Sequence, residues 1–179
     1  LDIEIPSIDE QERIISILDK ADEIKDNIHK INDIKKQAEL SIFLDMFGDP
    51  VANSKGWSVQ KLGQITDEIR SGSTPKGGSK NYVEDGITFF RSQNVWRNKI
   101  EFSDVAYIDE KMHSIMKKTS LKKNDILMTK TGRINTENSS LGRAALFTGE
   151  DDTANINGHV YFIRLNDSSF SHEFVVYIL

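Results

Sequence analysis

Cysteine is absent from this 179-residue chain, which excludes disulfides and thiolate metal sites and is compatible with a reducing cytosol. Neither a signal-peptide pattern nor a run of about 18 apolar residues occurs, so no membrane span is expected. The four histidines, His29, His113, His159 and His172, show no paired metal spacing. No metal and no cofactor is therefore expected. The phosphate-loop pattern G-x-x-x-x-G-K-S/T is missing, as are G-x-S-x-G and N-P-P-Y. Asp109-Glu110-Lys111 fits a D-x-K nuclease fragment, but so short a pattern is common by chance and no Pro-Asp pair accompanies it. It reads better as the start of a helix. These absences turn attention from catalysis to binding.

What is present is a long amphipathic segment. Ser7 and Glu10 have capping-box spacing, with Pro6 just outside, and residues 7–47 read as one helix. Its apolar positions are Ile14, Ile17, Ala21, Ile24, Ile28, Ile31 and Ala38. They alternate steps of three and four, an a/d seam in which Lys35 interrupts the a series. Ile34 covers that gap and Leu18 widens the stripe. Leu40, Phe43, Leu44 and Phe47 extend it, and Gly48-Asp49-Pro50 stops the helix. At 1.5 Å per residue the helix is roughly 60 Å long. A domain of about 130 residues is roughly 30 Å across, so the stripe outruns any surface its own domain offers. Such a stripe must be buried against another helix or a domain surface, and an ordinary amphipathic helix lying on its own domain is the alternative that this length disfavours.

Charge divides along the same line. Residues 1–50 hold six Lys/Arg and thirteen Asp/Glu, a net −7, whereas residues 51–179 hold seventeen and fifteen, a net +2. Residues 70–133 hold thirteen and seven, a net +6. An overall charge of −5 argues only superficially against nucleic acid, because a phosphate-binding face needs local positive charge.

The remainder reads as an α+β domain with a curved, barrel-like sheet: many short strands, few helices and long polar loops. Strands are expected over 58–61, 87–91, 105–108, 125–129, 141–147 and 160–165, and a strand or turn over 65–69. Asp109 caps a short helix reaching about Lys117, and Ser171 caps a final one with Glu173 in its first turn. Loops are expected over 71–80 and 132–140. The chain opens without Met in what reads as a strand end, 1–5, and closes inside a helix, so a piece of a longer protein is expected. The division is a preceding-domain remnant over 1–6, a spacer helix over 7–50 and a domain over 51–179.

Three segments carry groups suited to nucleic acid. The 71–80 loop offers Ser73, Thr74, glycine amides, Lys76 and Lys80, which suit phosphate oxygens or simply face solvent. Arg91, Ser92, Gln93, Asn94 and Arg97 follow a buried strand. Gln and Asn can pair bidentately with adenine and Arg with guanine, or Ser92 and Asn94 merely close a turn. Lys130, Thr131 and Arg133 open a loop after another strand. Lys117, Lys118, Lys122 and Lys123 fit nonspecific phosphate contact or plain solvation. Asn155, Asn157 and His159 read as backbone-satisfying turn residues.

The order of these fragments resembles a known family. Ile5-Pro6-Ser7-Ile8-Asp9-Glu10-Gln11-Glu12-Arg13-Ile14 looks like the entry to the spacer helix of type I restriction–modification specificity subunits. Met46-Phe47-Gly48-Asp49-Pro50, Gly56-Trp57 and Lys61-Leu62-Gly63 look like the exit into a target recognition domain. Ser71-Gly72-Ser73-Thr74-Pro75, Tyr82, Gly86-Ile87-Thr88-Phe89 and Asn94-Val95 resemble that domain's opening. Residues 121–127, Thr131-Gly132 and Leu141-Gly142-Arg143-Ala144 resemble its second half. The resemblance implies a non-catalytic, cytoplasmic DNA-reading subunit of a bacterium or archaeon. Its partners would be double-stranded DNA, methyltransferase subunits and a restriction subunit. It also implies that the helix sets the gap between two half-sites and pairs antiparallel with a second spacer helix. A coiled-coil adaptor that binds protein explains the acidic helix equally well, but not the basic segment interleaved with Tyr82, Phe89, Phe90 and Trp96.

Overall fold

The computed structural model describes residues 4–133, 139–166 and 170–179. The first three residues of the expected strand end and most of the 132–140 loop lie outside them. The chain divides into two compact units, Leu1–Ser58 and Val59–Leu179.

The first unit is built on one α-helix, α1 (Ile8–Phe47), 40 residues long. Ser7 occupies the N-cap, but the expected capping box does not form, because its side chain makes no capping bond. Glu10 turns instead to Arg13, 3.0 Å away. Gly48 ends the helix at φ 86°, its N–H donating to Leu44 O, a left-handed stop that glycine adopts without a Cβ penalty. The chain then folds back on the helix end. Trp57 stacks on Phe47 and donates its Nε1–H to Phe47 O (2.7 Å). No residue of α1 is buried. The seam residues Ile17, Ile24, Ile28 and Ile31 are all more than half exposed.

The second unit holds two four-stranded sheets and a two-stranded ribbon, with no closed barrel among the described residues. The expected barrel-like sheet is thus two separate sheets. The first runs β1 (Thr66–Ser71), β10 (Val160–Leu165), β7 (Ile126–Thr129), β8 (Ala144–Leu146), antiparallel throughout. The second runs β2 (Tyr82–Val83), β6 (Ala106–Ile108), β3 (Ile87–Phe90), β9 (Ala154–Ile156), with β3 and β9 parallel. The ribbon is β4 (Val95–Trp96) with β5 (Lys99–Ile100). Residues 58–61 form no strand.

Period-two alternation places the strands' side chains in separate layers. Phe90, Leu127, Ile156 and Phe162 meet between the sheets. Their neighbours Ile126, Ile163 and Leu165 face the other way, onto Val175 and Val176 of α3 (His172–Ile178). Phe89, Ala106 and Ile108 pack on Met116, at the end of α2 (Glu110–Ile115). Both short helices start as expected. Asp109 accepts from Met112 N–H (2.7 Å), and Ser171 from Phe174 N–H (3.2 Å). In the first of these bonds the carboxylate of the D-x-K fragment serves as the cap of a helix start.

One ion pair ties the first sheet to a turn. Arg164 on β10 makes a bidentate contact with the fully buried Asp125 (2.8 and 2.7 Å), whose second oxygen also accepts from Lys122 N–H. No helix among the described residues is long and apolar enough to cross a membrane.

Candidate nucleic-acid interface

Strand register brings several loops to one end of both sheets. β1 ends at Ser71 opposite Tyr161, near the start of β10, and Val160 pairs with Thr129, the end of β7. Met128 pairs with Ala144, the start of β8. In the second sheet β3 ends at Phe90 opposite Ile156, the end of β9. Residues 157–159 then carry β9 straight into β10. The 71–80 loop, the 130–133 segment, the 139–143 segment, the 157–159 turn and the segment after Phe90 therefore leave from the same end.

Hydrogen bonds lock these loops together. Lys130 Nζ donates to Ser71 Oγ (2.6 Å) and lies 5.1 Å from the Tyr161 ring centre. Thr131 Oγ1 and His159 Nδ1 are 3.2 Å apart. Ser73 N–H donates to Ile156 O, and Gly158 N–H to Thr74 Oγ1, both at 3.2 Å. Gly72 packs directly on the 156–157 backbone. A Cβ there would overlap the carbonyl oxygens of Ile156 and Asn157, so only glycine lets the loop approach so closely. Ser73, Thr74, Lys130 and Thr131, expected from two distant stretches of sequence, thus sit on one surface. Lys76 is exposed on the same loop. Lys80 is not brought to that end. It precedes Tyr82, which pairs with Ile108, the residue opposite Ile87 at the start of β3. Arg133 is exposed at the edge of the described residues.

The segment after β3 takes the second of the two readings given for it, the closing of a turn. Residues Ser92–Asn94 form a 3-10 turn in which Asn94 is buried. Its Oδ1 accepts from Arg91 N–H (2.9 Å), and its Nδ2 donates to Glu101 O (3.0 Å) and Asp104 O (2.8 Å). Asn94 is thereby spent on the turn and offers nothing to a base. Arg91 is also committed. One guanidinium nitrogen donates to the Asp104 carbonyl (2.7 Å) and carboxylate (3.0 Å), and the group lies 5.8 Å from the Tyr82 ring centre. Ser92 is half-buried in the turn, whereas Gln93 is exposed and donates to Asp104 Oδ2 (2.9 Å). Those two hydrogen bonds, with the Arg91 charge, hold the Asp104 carboxyl below its ordinary pKa.

Arg97 leads to a pairing that no local pattern singles out as a contact. The β4–β5 ribbon docks on β8 through Asn98 N–H to Ala144 O (2.8 Å). This sets Trp96 beneath the buried guanidinium of Arg143, 3.8 Å from the ring centre, while Arg143 Nε donates to Ser139 O (2.9 Å). Burial, and then the nearby Arg97 charge, push the Arg143 pKa down. Trp96 and Arg143 lie far apart in the chain, and nothing local in the sequence couples them.

His113 is buried against Asn155 (Nδ1 to Oδ1, 2.5 Å), and Asn155 Nδ2 donates to Met116 O and Thr119 Oγ1. This is a satisfied polar cluster inside the domain. Among the described residues no group of three His, Cys, Asp or Glu side chains could hold a metal ion.

No family model and no curated protein matches the chain. Several solved chains are similar to it, among them the following two. One comes from work on complex assembly and conformational transition of a type I R-M system, and the other is the HsdS subunit from Thermoanaerobacter tengcongensis. Each has a TM-score of 0.48 and 16% identity, over 97% of this chain and 41% of the other. The chain thus spans about two-fifths of those structures' length. A TM-score below 0.5 at that identity decides nothing about function, which has to come from the residues.

Proposed function

We propose that the second unit reads a short sequence in double-stranded DNA, as the recognition domain of a type I restriction–modification specificity subunit. The observation that carries this reading is the convergence of hydroxyl, amide and basic groups at one end of the two sheets. Lys76, Lys130, Arg97 and Arg133 supply phosphate contacts there, with Ser73, Thr74 and Thr131 as hydroxyl partners. Gln93 is the exposed amide suited to a base edge. Arg91 and Asn94 shape the surface without touching the base. In this reading the domain has no catalysis of its own. Methylation and cleavage fall to methyltransferase and restriction subunits, and α1 is the spacer that docks them. Its isoleucine seam pairs with a second spacer helix or, in this chain alone, with a second copy.

The unburied seam also favours a second reading, a protein-binding adaptor. Duplex binding titrated against salt separates the two. Contacts to several phosphates make log K fall steeply and linearly with log salt. Retention of a duplex that does not respond to salt, or no retention at low salt, would leave the adaptor.

A further inference from the structure

The carboxylate of Asp104 is held by two of the contact groups after β3, Arg91 and Gln93, and its side chain is 73% exposed. An acid on a phosphate-facing surface opposes binding unless it is used. Here one oxygen takes Arg91 and the other takes Gln93, so the guanidinium offsets its charge. The consequence for Gln93 is orientational. A carboxylate only accepts hydrogen bonds, so the Gln93 amide must turn its NH2 toward Asp104 and cannot flip. Among the described residues Gln93 makes no other side-chain hydrogen bond. Its Oε1 and its second N–H remain for a partner. One acceptor beside one donor matches the N6–H and N7 pair on the major-groove edge of adenine.

We propose that Asp104 is a positioning residue for sequence readout: it fixes the Gln93 amide so that the domain selects adenine at one position of its target. The inference rests on the DNA-reading function proposed above. Arg91, which a sequence reading takes for a base contact, is in this account the anchor of Asp104. The turn is rigid enough for the task, because Asn94 closes it through three hydrogen bonds and is itself buried.

The test is selection from a randomised duplex library by the unmodified chain, Gln93→Ala, Asp104→Ala and the near-isosteric Asp104→Asn, each checked by thermal melting. The amide that Asp104→Asn introduces can either accept from or donate to Gln93, so Gln93 loses its enforced orientation without loss of volume. The unmodified chain should enrich a motif containing adenine. Gln93→Ala should erase the preference at that position, a loss on the order of tenfold or more. Both Asp104 variants should broaden the same position, leave the others intact and keep the slope of binding against salt. A motif unchanged in the folded variants overturns the inference and leaves the DNA-reading function standing. So does loss of preference at every position, which would make Asp104 a scaffold residue. Failure of the unmodified chain to bind any duplex at low salt overturns both.

Discussion

The two units bury their apolar residues in different ways. In the domain, Phe90, Leu127, Ile156 and Phe162 are sealed between two sheets. In α1 an equally apolar series, Ile17, Ile24, Ile28 and Ile31, is more than half exposed. The charges divide likewise, acidic on the helix and basic in the loops. A sheet domain can satisfy itself, because each strand face finds another layer of the same chain. A single 40-residue helix with one stripe cannot, and most helical stability comes from packing such a stripe. Ion pairs along it, such as Lys35–Glu39 and Lys36–Asp33, are exposed and each contributes well under about 1 kcal/mol. The domain therefore closes its own core, and the helix leaves its stripe exposed.

The contrast is broken most forcefully by comparing matched deletions. Ile156→Ala removes a fully buried side chain and should destabilise the domain by about 2–5 kcal/mol in denaturant titration. Ile24→Ala, at a position 60% exposed, should cost no more than about 0.5 kcal/mol in dilute chain. At high concentration it should cost more, with a matching fall in the mass seen by light scattering. A strict monomer at high concentration would mean that the seam does not pair with itself. Similarly large is Gly72→Val. The added side chain collides with the 156–157 backbone, so the loop must lift away. Duplex binding should drop while α1 helicity, read by circular dichroism, stays constant.

A smaller effect separates the kinds of contact. Lys76→Ala should weaken binding about equally on cognate and random duplexes and lower the salt slope by roughly one. Arg97→Ala tests whether that guanidinium reads a base. An equal loss on both is expected of a phosphate contact, and a loss confined to cognate DNA would make it a base reader. The smallest effect concerns acid. The Asp104 carboxyl is held below its ordinary pKa by Gln93 and Arg91, so its contribution is present above the unfolded value, about 3.9. It disappears as pH falls through the lower folded value. Melting temperatures of the unmodified chain and Asp104→Asn should therefore differ at neutral pH and converge in acid.

How much of this is legible in the sequence depends on how local the signal is. The long helix, the glycine stop after Phe47, strand β10 and the Asp109 and Ser171 caps follow from spacing within a few residues. β9 does not. Its centre is Asn155, which reads as a turn residue, and it becomes strand because His113, Met116 and Thr119 satisfy its side chain from far along the chain. The ribbon and β2 are two-residue strands, too short for any period to register. Residues 58–61 have an extended pattern but find no ladder partner. Among the contact residues, the 71–80 and 130–133 segments are readable from composition. Their union is not, because it depends on the β1–β10–β7 register. Arg91 and Asn94 have the right chemistry for a base, yet Asp104 and the Glu101 carbonyl claim them first.

The most direct measurement is enrichment of a randomised duplex library by the unmodified chain at moderate salt, followed by sequencing. The account predicts a short motif of a few base pairs. Binding without enrichment would contradict sequence readout and leave only a grip on phosphates.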